Sequence, residues 1–255
     1  MDAYTKKRLC ELKLADLAKA IELQEMDLSA GQLSYEARLE QILATLIHDR
    51  ENAYIKRLIK NSRMKYPEAS VDTLDCEARQ IDRNTFLHIA KLGFVESTTN
   101  ILVTGPSGSG KTYLACSLGV EACKNGFRTY YIRMTELLRN FENLRDNLRE
   151  LRKYQRRISN YPVLIVDEWL SQKLADKDAK WIYELVEMRS GNHPTIFVGQ
   201  FPSDSWHDRL GGGTMADAIM DRIIHNSYPF ASTEANLRKL YDEQKLKKLL
   251  ESFED

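Results

Sequence analysis

Gly105-Pro106-Ser107-Gly108-Ser109-Gly110-Lys111-Thr112 matches the pattern G-x-x-x-x-G-K-[ST] at every fixed position. An apolar run at 101–104 leads in and a helical stretch at 112–124 leads out, the strand–loop–helix context that the pattern requires. Glycines let the backbone reach φ > 0 and bring its N–H groups close to phosphate oxygens. The loop ends at a helix N-terminus, where free N–H groups and the dipole favour an anion. Lys111 is placed to reach the β- and γ-phosphates, the Thr112 hydroxyl is a magnesium ligand, and Tyr113 completes the nucleotide-contacting set. A second carboxylate site is expected at the tip of a neighbouring strand. Val163-Leu164-Ile165-Val166-Asp167-Glu168 supplies it, with Asp167 holding Mg2+ and Glu168 polarising the attacking water. No Asn-Lys-x-Asp guanine-reading motif occurs, which favours ATP.

The remaining texture fits around this loop. Runs at 101–104, 128–133, 163–167, 195–199 and 227–231 are continuously apolar rather than alternating, as in strands buried on both faces. With helical stretches between them, they predict an α/β domain on a mostly parallel five-stranded sheet. Residues 1–66 contain no proline and one glycine, Gly31. Leu9, Leu12, Leu17 and Ile21 suggest one helix. Leu39, Leu43, Leu46, Ile47, Tyr54 and Leu58 suggest another, capped by Ser34. The breaker at Pro67 then predicts a helical N-terminal domain over 1–70 and the ATPase domain over 71–255.

Composition excludes several classes. Lys plus Arg and Asp plus Glu are both 37, so any basic surface must be local. At 43% hydrophobic the chain can build a core and is not disordered. No apolar stretch reaches the roughly 18 residues of a membrane span, and no signal-peptide pattern opens the chain, so a cytoplasmic location is expected. Cys10, Cys76, Cys116 and Cys123 form no CxxC pair and read as reduced, mostly buried thiols. The five histidines show no metal-ligand spacing, Gly211–Gly213 read as a turn into a helix, and Trp169 and Trp181 read as core residues.

Two basic clusters are conspicuous. Residues 135–158 read as a single helix opened by Thr135, with Arg145, Arg149, Arg152 and Arg156 along one arc and Lys153 and Arg157 beside it. Leu137, Phe141, Leu144, Leu148 and Leu151 occupy a packing face. The arc predicts contacts with DNA phosphates. Lys56, Arg57, Lys60, Arg63 and Lys65 form the second cluster, with Lys56, Lys60 and Arg63 on one face. That cluster fits DNA contact and simple solubilisation of a helix end equally.

Several further segments carry a family resemblance: residues 33–39 and 50–52, Pro194-Thr195-Ile196-Phe197-Val198-Gly199-Gln200, Trp206-His207, and residues 216–226 around Asp221-Arg222. With the phosphate loop, they make the chain resemble the IstB family. These are ATP-binding helper proteins of insertion-sequence transposition, AAA+ ATPases related to the DnaC helicase loader. The resemblance implies a sensor-1 role for Gln200, where relatives commonly carry Ser or Asn. It implies an arginine finger at Arg222 acting on a neighbouring subunit, a sensor-2 role for Arg238, and a reduced C-terminal lid. It also implies a homo-oligomer, ring or helical, on double-stranded DNA with a transposase as partner. A DnaC-like loader of a replicative helicase, a small-molecule phosphotransferase and a non-hydrolysing ATP-gated scaffold are the alternative readings.

Overall fold

The computed structural model describes residues 1–231, which divide into two compact units, Met1–Arg57 and Leu58 onward. The first unit holds α1 (Ala3–Glu11), α2 (Ala15–Met26) and most of α3 (Tyr35–Asn61). The single early helix expected from the leucines is two helices. Lys13 turns left-handed at φ 60, and Leu14 N–H reaches back to the Leu9 carbonyl at 2.8 Å, which closes the end of α1. As expected, Ser34 accepts the Ala37 N–H (3.2 Å) at the start of α3. The buried Gln24 amide donates to the Arg38 carbonyl at 2.6 Å and ties α2 to α3. The apolar period of α3 is real, but Leu39, Leu43, Ile47 and Tyr54 are 41–56% exposed, and Leu46 and Leu58 are the buried members.

The second unit begins at Leu58, within about ten residues of the breaker at Pro67. Leu58, Met64 and Ala69 belong to its core with Val71 and Leu74, and the Ser62 carbonyl accepts the Tyr131 N–H at 2.8 Å. Then follow α4 (Arg83–Ala90), α5 (Gly93–Glu96), β1 (Asn100–Thr104), α6 (Lys111–Lys124), β2 (Thr129–Arg133), α7 (Met134–Leu144) and α8 (Leu148–Ser159). They are succeeded by β3 (Val163–Trp169), α9 (Asp176–Arg189), β4 (Thr195–Gly199), α10 (Trp206–Arg209), α11 (Gly213–Ile224) and β5 (Ser227–Ala231).

The five strands form one parallel sheet in the order β2-β3-β4-β1-β5. The strands β1 to β4 feed both layers of core, whereas the edge strand β5 contributes only Phe230, to one of them. Ile101, Val103, Ile165, Ile196 and Val198 face one cluster; Leu102, Leu164, Val166 and Phe197 face the other. That double burial explains the unbroken apolar runs. Trp169 and Trp181 lie in the second cluster, as expected of core residues.

The long helix over 135–158 is absent. Asn147 accepts the Glu150 N–H (3.2 Å) and starts α8 afresh after three residues of turn. Arg145 therefore falls outside α8 and pairs with Glu142 and Asp146. Leu148, expected to pack, is 64% exposed. Arg149, Arg152 and Arg156 do line one exposed face of α8, with Lys153 beside them and paired to Glu150 at 3.6 Å. The helix packs through Leu151, Tyr154 and Ile158. Its C-terminal end is stapled by the buried Arg189, which donates to the carbonyls of Ile158, Ser159, Tyr161 and Pro194 and to the Thr195 hydroxyl.

Cys76, Cys116 and Cys123 are buried, whereas Cys10 is exposed. Burial pushes the Cys116 thiol up to about 11, so about one part in a thousand is thiolate at pH 8. A thiol titration with Ellman's reagent should give one fast-reacting group, lost in Cys10→Ser, and three more only on denaturation.

Candidate nucleotide site

The carboxyl ends of β1, β3 and β4 meet at one edge of the parallel sheet, where ligands of open α/β folds bind. β1 delivers the chain into the loop 105–112, whose glycines Gly105, Gly108 and Gly110 all have positive φ. Gly110 is the residue ahead of α6, left-handed at φ 81, with no side chain capping the helix. The first turn of α6 thus keeps its N–H groups directed at the loop's concavity. A cavity of about 590 Å3 opens there. Of the residues expected from the sequence, Ser107, Gly108, Gly110, Lys111, Thr112, Tyr113, Asp167, Glu168 and Gln200 line it. Gly105, Pro106 and Ser109 shape the loop without lining the cavity; the Pro106 carbonyl accepts from Lys111 Nζ (2.5 Å) and from Ser109 Oγ (3.0 Å). Burial lowers the Lys111 pKa and Asp167 opposes that shift.

Thr112 Oγ1 donates to Asp167 Oδ2 at 3.0 Å, which joins the loop to the tip of β3. The buried Tyr131 on β2 donates to the same oxygen at 2.7 Å, and the Glu168 N–H donates to Oδ1 at 2.8 Å. Burial and the neighbouring Asp167 carboxylate hold the Tyr131 phenol protonated, well above its ordinary range. Asp167 is therefore fixed in one orientation. Hydroxyl and carboxylate oxygens side by side form a hard donor set that suits Mg2+. Glu168 follows at φ 58, an uncommon backbone state for a non-glycine residue, and its exposed carboxylate has no hydrogen bond or ion pair among the described residues.

The far end of the cavity sets the expected Tyr113 beside residues that sequence reading did not single out for nucleotide contact. Tyr66 and Tyr113 bring their ring centroids to 5.8 Å, and the Tyr113 hydroxyl hydrogen-bonds Thr73 at 3.2 Å. Lys65 and Arg79 also line this end. Lys65 thus leaves the basic cluster assigned to it. Arg63 leaves it too, because α3 stops at Asn61 and Arg63 turns left-handed beyond the helix. Lys56 and Lys60 remain exposed on α3. No local pattern marks Tyr66, Thr73, Arg79 or Tyr131; only the tertiary fold brings them to the loop.

Arg222 does not line this cavity. It lies on α11, where it pairs with Glu187, donates to the Ala218 carbonyl at 3.0 Å and stacks over Tyr183 at 5.1 Å. Glu187, not Asp217 or Asp221, is its acidic partner; those two face His207 and His225. Arg238 falls outside the described residues. No group of three or more metal-ligating side chains occurs among the described residues, and no described helix is long and apolar enough to cross a membrane.

The model of the family described as IstB-like ATP binding protein matches residues 7–244. The chain belongs to this family. An insertion sequence ATP-binding protein of Sinorhizobium fredii is 29% identical over 91% of this chain and 93% of its own length. A relative from Geobacillus stearothermophilus, named for insertion sequence IS5376 and ATP binding, is 31% identical over 79% of this chain and 80% of its own. Among solved structures, the DnaC helicase loader superposes with a TM-score of 0.55 at 20% identity, covering 66% of this chain and 98% of the loader. AMPPCP-bound DnaA from Aquifex aeolicus superposes at 0.55 and 16% identity, over 71% of this chain and 56% of that one. These neighbours share the AAA+ fold with the IstB-like chain.

The cradle depends on Gly110. A Cβ there would approach the Arg79 guanidinium to 2.8 Å at a φ of 81. Gly110→Ala should lose stability by roughly 1–2 kcal/mol from the left-handed backbone alone. It should also lose ATP binding, measured by denaturant unfolding and isothermal titration.

Proposed function

We propose that the protein is an ATP-hydrolysing, DNA-binding AAA+ regulator of transposition. It assembles on target DNA, remodels it and recruits a transposase, and hydrolysis resets the assembly. The observation that carries the reading is the complete phosphate loop joined through Thr112 to Asp167, in a chain of the IstB-like family. Relatives named for insertion sequences support the transposition setting.

The loop N–H groups and Lys111 would hold the triphosphate, while Thr112 and Asp167 would hold Mg2+, which neutralises charge developing on the phosphates. Glu168 accepts a proton from the attacking water, a role its unpaired carboxylate suits. Gln200, at the end of β4 on the cavity wall, orients that water or contacts the γ-phosphate. Arg222 is the finger offered to a neighbouring subunit; its place away from its own cavity supports action in trans. Arg238 is the sensor-2 candidate. Reaching a neighbour requires Arg222 to exchange Glu187 for a phosphate.

The DNA surface proposed is the face of α8 with Arg149, Arg152, Lys153 and Arg156. Arg145 is tied to two acids and is a weaker contributor than its spacing suggested. Lys56 and Lys60 are further candidates on α3. Such contacts read the backbone, not the sequence.

Lys111→Ala should weaken ATP binding roughly a hundredfold, and Glu168→Gln should bind ATP normally yet lose turnover. Titration calorimetry and phosphate release check both; wild-type turnover in Glu168→Gln would exclude it as the base. Arg149→Glu combined with Arg152→Glu should leave ATP affinity intact. In salt titrations of duplex binding it should lower affinity and flatten the slope by about two, and an unchanged slope would remove α8 from the interface.

A further inference from the structure

The protein's buried arginines differ in how they are satisfied. Arg189, 3% exposed, spends its guanidinium on four carbonyls and one hydroxyl. That is how a structural arginine survives burial without a carboxylate. Arg79, 4% exposed, makes one such bond, from Nη1 to the Asp75 carbonyl at 2.7 Å. Its Nε has no hydrogen-bond partner and the side chain forms no ion pair among the described residues. Its guanidinium also lies 5.9 Å from the centroid of the Tyr113 ring.

The position of this under-used cation is informative. Nη2 and Nε come within 2.8 and 3.0 Å of the point where a Gly110 Cβ would sit. Gly110 opens α6, so the guanidinium lies beside the positive end of that helix and shares a cavity with Lys111. The carboxylate of Asp167 is already held by three donors. Donor-only groups of one sign converge here, an arrangement that an anion would complete.

We propose that Arg79 is a phosphate-binding residue of the nucleotide site, its planar fork reaching the α- and β-phosphates from beside Gly110 of the loop. This rests on the nucleotide reading of the cavity and adds to it a residue from the segment preceding α4. The assignment to α and β follows from Gly110, whose part of the loop cradles those phosphates, whereas Lys111 reaches towards γ. A guanidinium suits this task because it donates two parallel bonds to one phosphate. Arg79 would then grip ATP and ADP alike. The segment 65–79, which also carries Tyr66 and Thr73, would be ordered by diphosphates as well as triphosphates.

The test compares Arg79→Met and Arg79→Lys with wild type in the full chain. Titrations with ATP and with ADP are paired with thermal melts in the absence of nucleotide. Arg79→Met should weaken ATP and ADP by a similar factor of roughly tenfold or more. Its melting temperature without nucleotide should not fall, since the change removes a buried cation with few partners. Arg79→Lys, which keeps the charge but not the fork, should bind with intermediate affinity. Wild-type affinity for both nucleotides in Arg79→Met, with binding lost in Lys111→Ala, would overturn the assignment while leaving the nucleotide site standing. So would a lowered melting temperature in Arg79→Met that Arg79→Lys restores, with nucleotide affinity unchanged in the lysine variant. Absence of ATP binding by wild type itself would instead remove the underlying reading of the cavity.

Discussion

The junction between β1 and α6 is the constraint on which the rest of the structure depends. A strand buried on both faces hands the chain through left-handed Gly110 straight into a helix with no capping side chain. The unsatisfied N–H groups of that first turn have to find acceptors, and the loop geometry leaves them facing a cavity rather than another part of the fold. The two core layers fix β1 against β4 and β5, so the loop cannot relax by moving the strand. Rigidity behind the loop makes the anion site possible in front of it.

Charge is handled differently on the two sides of the sheet edge. Asp167 is hydrogen-bonded by three donors, a loop hydroxyl, a buried phenol and a backbone amide. Lys111 and Arg79 receive much less, one or two polar contacts apiece. The carboxylate is thus oriented in advance, and the cations keep capacity for a further acceptor. Away from the site, Arg189 donates to four carbonyls and a hydroxyl, Arg209 donates to two carbonyls, and Arg222 is paired with Glu187. The buried Arg189 and Arg79 thus differ in hydrogen-bond satisfaction, the first with five acceptors and the second with one.

The basic face of α8 shows where periodicity misleads. Arg145, Arg149, Arg152 and Arg156 fall on one arc only if the helix is continuous. Asn147 interrupts it because its side chain competes for a backbone N–H better than the next helical turn does. Leu148 then faces outward, and the arginine face shortens to the residues of α8. A similar inversion affects α3, whose helical period was legible although its exposed side was not. Periodicity identifies a stripe but not what covers it.

The sequence by itself determined the phosphate loop, the Asp167-Glu168 pair, the five strands and the parallel α/β class. Each rests on local stereochemistry: glycine's access to positive φ, the β preference of unbroken Val/Ile runs, and one short spacing pattern. Tertiary structure alone decided that Tyr131 braces Asp167 across adjacent strands, and that the segment at 65–79 folds back to wall the cavity with Tyr66, Thr73 and Arg79. It also decided that the second unit begins at Leu58, in mid-helix. These contacts join residues tens of positions apart. Their energies come from burial and from completing hydrogen bonds across the fold, quantities that no short window of sequence contains.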